Sequence, residues 1–271
     1  MRTIQSKILI AFIIIFFIIG FTTSAKSIID ADYGKSEPTT TTEPGLQANP
    51  LAVVYPDNLQ NYRMQTVDFV KSFSTKQRDY IIHIFKKGEH YFPKATAILG
   101  KYDVPAELQM IPVLESEFNA DAVSRVGAVG YWQFMGELAN EYGLKTGGKY
   151  DDRKNFAKST TAAAKFFKDQ LVNFNDNLLL CVASYNCGPG RVQLAMKKSG
   201  KENPSYFDIK RYLPEETKKF VMNFVAFNVI AANYDKFLNN SLDFSEPAFI
   251  KIPVVQDSLN ISNDSLTVKA L

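Results

Sequence analysis

The sequence predicts an all-α fold, and three observations carry that prediction. Apolar residues recur at three- and four-residue spacing from about residue 61 to residue 238. Glycine, proline and small polar residues stand where helices would start and stop, and no segment of this core alternates as a half-buried strand does. With 46% hydrophobic residues in 271, the chain is long enough to bury a proper core.

Taken in order, the chain begins with Arg2 and Lys7 ahead of an unbroken apolar run over residues 8–21, followed by the small residues Thr23, Ser24 and Ala25. This is the pattern of an export signal, so residues 1–25 are expected to be a signal peptide or a membrane anchor. The run of about 14 apolar residues is short for a spanning helix, which favours cleavage. No cysteine lies near the cleavage site, so a lipoprotein anchor is excluded. Residues 26–59 are poor in periodic apolar positions and contain SEPTTTTEPG, the composition of a flexible linker that would hold a folded domain off the membrane.

The helical domain is expected over residues 60–238. Met64, Val67, Phe69 and Phe73 start the pattern, and Tyr80, Ile81, Ile84 and Phe85 continue it towards Leu99, with Gly100 as the stop. Asp103 and Pro105 offer a capped start to a helix carrying Glu115, in which Pro112 should force a kink. Residues 136–142 read as a short helix closed by Gly143, and 146–155 as a loop. Ser159 then reads as the cap of TTAAAKFFKDQLVNF, and residues 177–186 as a buried helix broken by the GPG at 188–190. A further helix covers 191–198. Pro214 opens what reads as the longest helix, running through to Phe237 with Phe220, Phe224, Phe227 and Ile230 on one stripe. The tail, 239–271, holds PAFIKIPVV and DSLTV, candidates for one or two short strands, and no second globular domain.

Composition narrows function. A net charge of +3 without a clustered basic face argues against nucleic acid and is compatible with an anionic envelope polymer. Cys181 and Cys187 read as free, buried thiols. Only two histidines, His83 and His90, are present and no Cys/His cluster, so neither a metal site nor a cofactor is expected. His83 reads as a structural residue of an amphipathic helix.

The informative stretch is 114–135, LESEFNADAVSRVGAVGYWQFM. At helical spacing Leu108, Ile111, Glu115 and Phe118 share one stripe, while Glu117 is rotated roughly 200° from Glu115. A carboxyl group on an apolar stripe must be paired or have its pKa raised, and a raised pKa is what a general acid at neutral pH requires.

The order ES, F, AxSxxGAxGxWQF, YDDR, ASYNCGPGRV, LPEET resembles the lytic transglycosylases with a soluble-lytic-transglycosylase-like catalytic domain, chiefly the membrane-bound lytic murein transglycosylase D type, over roughly residues 104–232. The resemblance implies a lysozyme-like helical domain in the bacterial envelope acting on peptidoglycan glycan strands. It implies cleavage of the β-1,4 bond between N-acetylmuramic acid and N-acetylglucosamine, without water, to a 1,6-anhydromuramoyl end. Glu115 matches the catalytic glutamate, acting as acid and then base. Ser116 and Ser124 match serines near the reacting sugar, although Ser116 equally suits a local helix hydroxyl. Gln133 supplies a two-way amide for the acetamido group, Met135 matches a subsite methionine, and Tyr185 with Asn186 matches a YN pair whose phenol is expected beside the acid.

Gly127 and Gly130 allow close approach to a ligand or serve the loop itself; Trp132 suits a core anchor as well as a sugar platform. Asp151, Asp152 and Arg153 match a DxR-like segment read as a structural ion pair. Three positions depart from the pattern: Gly136 and Met222 stand where proline is usual, and Phe220 where tyrosine is usual. No second carboxylate is evident beside Glu115, since Glu117 points away and Asp121 lies in the next turn. Two alternatives follow: a goose-type-lysozyme-like hydrolase using a positioned water, and a non-catalytic peptidoglycan-binding protein.

Overall fold

The computed structural model describes residues 46–47, 49–148, 150–245 and 250–251. The expected signal or anchor segment, the SEPTTTTEPG linker and DSLTV lie outside them. Among the described residues the architecture is all-α apart from Leu46–Gln47, which pairs antiparallel with Ile250–Lys251 inside the PAFIKIPVV stretch.

A 3-10 turn, Asp57–Tyr62, leads into α1 (Arg63–Lys76), α2 (Arg78–Gly88) and α3 (Phe92–Gly100). A second 3-10 segment, Ala106–Met110, precedes the short α4 (Ile111–Ser116). Then come α5 (Gly136–Glu141), α6 (Phe156–Asn173), α7 (Leu178–Cys187), α8 (Pro189–Ser199), α9 (Tyr206–Ile209), α10 (Glu215–Ala231) and α11 (Tyr234–Leu238). The apolar run of α7 is buried on every side from Leu178 to Ser184, because α6, α8 and α10 all pack against it. A helix apolar all round has to sit at the centre. Its outer neighbours are amphipathic: α10 turns one part of its surface to α1 and another to α4.

Several expectations are corrected. The cap of α6 is Asn155, whose side chain accepts from the Lys158 N–H at 3.0 Å. Ser159 lies inside the helix, donating to the Asn155 carbonyl at 2.8 Å. At 18 residues α6 exceeds the 17 of α10, and the single helix expected through Phe237 breaks at Ala232–Asn233. The break has a cause: the buried Asn233 amide donates to the carbonyls of Val229 and Val54, at 2.7 and 2.6 Å, and accepts from the Val54 N–H at 2.9 Å. The last residues of the expected linker are therefore ordered, with Val53, Tyr55 and Leu59 buried in the core.

Pro112 does not kink a continuous helix. The chain changes there from 3-10 to α, leaving the proline in the first turn of α4, where its missing N–H costs nothing. Cys181 and Cys187 are both free and both on α7; Cys181 is buried as expected, whereas Cys187, the last residue of the helix, is only partly buried. Six residues of helix separate them by about 9 Å, beyond disulfide reach. Among the described residues no helix is long and apolar enough to cross a membrane, and no group of three metal-binding side chains is found.

Candidate active site

Glu115 is the penultimate residue of α4. The helix ends immediately after it because Glu117 and Phe118 both adopt left-handed backbone, φ 52° and 57°. The stripe of four is thus not one helical face: Phe118 reaches the core by the reversal, where it is buried and stacks on Tyr91 with ring centroids 4.7 Å apart. Glu115 itself is partly buried. Among the described residues no hydrogen bond or ion pair reaches its carboxyl group. Burial first, and the charge of Glu216 second, push its pKa up to about 8. It is therefore a neutral acid near pH 7, held without a dedicated partner.

The nearby carboxylates expected to point elsewhere do so. Glu117 accepts from the Tyr80 hydroxyl at 3.0 Å, and Asp121 pairs with Lys154 at 2.8 Å. Glu216 is the acid the sequence argument missed. It sits in the first turn of α10, where an acidic residue after Pro214 reads as an ordinary helix start, and nothing in the spacing places it opposite a residue 101 positions earlier (216 minus 115).

The 122–135 loop folds over the end of α4. Ser116 donates to the Tyr131 carbonyl at 2.8 Å and, less closely, to Pro112 within its own helix at 3.3 Å. Tyr185, on α7, donates to the Trp132 carbonyl at 2.6 Å. Its hydroxyl is thus not bonded to Glu115, but the two groups are near enough to feel each other electrostatically, and burial with that charge raises the phenol well above its ordinary value. The ring of Tyr185 stacks on Phe167 at 5.1 Å, which fixes its direction.

Ser124 accepts from the Ala128 N–H at 2.9 Å and so closes a turn within the loop. Gln133, at φ 49°, spends its amide hydrogens on the carbonyls of Gly130 and Ala122, at 2.8 and 3.1 Å. Of the two-way amide only the oxygen is left for a ligand. Met135 is 44% exposed beyond the loop. Asn186 accepts from the Thr217 hydroxyl at 2.7 Å, which ties the end of α7 to the start of α10 beside Glu216. Trp132 is fully buried and donates to Thr160 at 3.0 Å, so it anchors the core and offers no sugar platform. Gly130, at φ +83°, packs against the Arg153 backbone: a Cβ there would lie 2.1 Å from the Arg153 carbonyl oxygen. Its close approach is to the protein, not to a ligand. Asp151 and Arg153 form the expected ion pair at 2.6 Å, while Asp152 pairs with Lys158.

Ser116, Tyr185 and the 131–132 backbone therefore gather around Glu115, with Ser124, Gln133 and Met135 spread along the same loop and Asn186 on the α10 side. A neutral, unpartnered acid with hydroxyls and amides around it can give a proton to a leaving oxygen and take one back from a nearby hydroxyl.

Residues 94–207 match the Transglycosylase SLT domain family. Over 162 residues, 60% of this chain and 36% of the relative, the sequence is 32% identical to membrane-bound lytic murein transglycosylase D of Escherichia coli, so the chain spans about a third of that relative's length. Among solved structures, lytic transglycosylase Slt of Pseudomonas aeruginosa aligns with 70% of this chain and 30% of its own, at 21% identity and a TM-score of 0.48. The 70 kDa soluble lytic transglycosylase of Escherichia coli aligns with 71% of this chain and 36% of its own, at 17% identity and a TM-score of 0.45. The part of the helical body that carries Glu115 is thus similar to the Transglycosylase SLT domain family and to the matching part of membrane-bound lytic murein transglycosylase D.

Proposed function

We propose that this protein is a peptidoglycan lytic transglycosylase of the cell envelope, and that Glu115 carries its chemistry. The single observation behind this reading is a half-buried carboxyl group, pushed up to about 8, that no side chain among the described residues pairs with. In the neutral form Glu115 protonates the glycosidic oxygen between N-acetylmuramic acid and N-acetylglucosamine, and the C1–O bond breaks. The resulting carboxylate takes the proton of the muramoyl 6-hydroxyl as that oxygen bonds to C1, so a 1,6-anhydromuramoyl end forms and no water is consumed. Ser116, Ser124, Met135, Tyr185 and Asn186 line the glycan, and the Gln133 oxygen accepts from an acetamido N–H. The export pattern of residues 1–25 supports a periplasmic or envelope location, with a membrane hold if that segment is retained.

Mass spectrometry of digested peptidoglycan tests the reading: anhydromuramoyl ends are expected, and reducing ends one water heavier would overturn it. A second reading, a goose-type-lysozyme-like hydrolase, draws on the influence of Glu216 at Glu115, since a helper carboxylate is what water activation needs. The heavier product is its signature. Binding of glycan strands with no fragments released is the signature of a non-catalytic protein.

The pH dependence follows from the acid. Activity that needs protonated Glu115 is expected to hold below about pH 8 and to fall about tenfold per unit above it. Because the Glu216 charge raises that pKa, Glu216→Gln should move the alkaline limb to lower pH, read from kcat/KM across pH 6–10.

A further inference from the structure

Arg153 makes more bonds to the loop than an ion pair needs. Its side chain and that of Asp151 are 10% and 11% exposed. Nε and Nη2 donate to the two Asp151 oxygens at 3.0 and 2.6 Å, and this holds the Asp151 carboxyl below the usual carboxylate range. Nη1, which faces the other way, donates to the Phe134 carbonyl at 3.1 Å and the Gly127 carbonyl at 3.3 Å. The carbonyl of Arg153 lies directly under Gly130. One residue thus touches the 127–134 part of the loop at both ends and in between. The two carbonyls that receive Ser116 and Tyr185, those of Tyr131 and Trp132, lie between the gripped points.

We propose that Arg153 is a positioning residue: clamped by Asp151, it holds the 127–134 loop in the one register that sets Ser116 and Tyr185 against Glu115. The proposal rests on the transglycosylase reading above. Stability alone is a poor reason for this arrangement, because a buried ion pair often contributes no more than well-packed apolar side chains of the same volume. A planar fork that reaches a carboxylate on one side and two carbonyls on the other is suited to fixing geometry, and lysine cannot reproduce it.

The sole tryptophan, Trp132, lies inside the gripped loop and is fully buried, so its emission reports the register directly. The experiment compares the parent with Arg153→Met, Arg153→Lys and Asp151→Asn on soluble glycan strands, with circular dichroism to count folded molecules and Lys158→Met as a control for the neighbouring ion pair. A displacement of about 1 Å can cost about 100-fold, so kcat per folded molecule of Arg153→Met is expected to fall by roughly that factor with KM little changed. Arg153→Lys should lose most of it as well, and Asp151→Asn, which leaves the guanidinium in place but slackens it, should fall between. Trp132 emission should shift red in all three, and the control should behave as the parent. If the parent is active and the Arg153 and Asp151 variants keep parental kcat per folded molecule with unshifted emission, the pair is only structural and the proposal is overturned. A parent that releases no anhydromuramoyl product overturns the transglycosylase reading, and the positioning role of Arg153 with it.

Discussion

Glu115→Gln is expected to leave the fold intact and to lower release of anhydromuramoyl fragments by about 1,000-fold or more. The amide matches the carboxylic acid in shape but has no proton to give and no basic oxygen to take one back, so both halves of the reaction lose their group. No partner among the described residues depends on the carboxyl, so nothing else is left unsatisfied. The same substitution has a stability signature. With its pKa raised from 4.5 to about 8, folded Glu115 binds a proton more tightly than the unfolded chain does, so the parent loses stability as pH rises between those values. Glutamine has no proton to lose. The variant should melt with the parent at pH 4 and above it at pH 9, as thermal unfolding at the two pH values will show; equal melting temperatures at pH 9 would mean that Glu115 ionises freely.

Gly130→Ala is expected to be the most destabilising small substitution in the loop, by about 3 kcal/mol or more, from strain at positive φ together with overpacking. The new methyl carbon would lie 2.1 Å from the Arg153 carbonyl oxygen and 2.7 Å from its carbon, and both atoms are backbone that cannot swing aside. Gly127→Ala is the matched comparison. Its φ is similarly positive, at +88°, yet nothing lies within 4 Å of the added carbon. It should cost about 1 kcal/mol of backbone strain alone. Urea unfolding of the two variants separates packing from strain, and equal losses would show that the Gly130 contact relaxes at no cost.

The helices were legible because their signals are local. Periodicity, Gly100, Gly143 and the GPG at 188–190 all act within a turn or two of the residues they govern. What the sequence left hidden was settled by distant partners. Asn233 breaks a helix whose apolar pattern runs on, and its partner Val54 is 179 positions away. Gln133 is legible as an amide in a glycine-rich loop, but not that its hydrogens serve Gly130 and Ala122. The apolar stripe marks Glu115 but not Phe118, because the helix ends at Ser116 and Phe118 is buried by a chain reversal. The residue types did show that an acid there had to be either paired or raised in pKa, and that Trp132 could be an anchor. They could not show Glu216 acting from another helix, or Arg153 spanning the loop.

The Asn233 clasp also has a mechanical meaning. Val54 is bonded to Asn233, Ala52 accepts from Lys236, Val53 donates to Asp243, and Asn49 donates to the Asp243 side chain at 2.6 Å. The chain therefore enters and leaves the helical body side by side, through one small seam. Tension applied between residues 49 and 245 loads that seam and bypasses α4 and the loop above it. A pull on residues 49 and 245 would therefore open this seam before it strained α4 or the residues around Glu115.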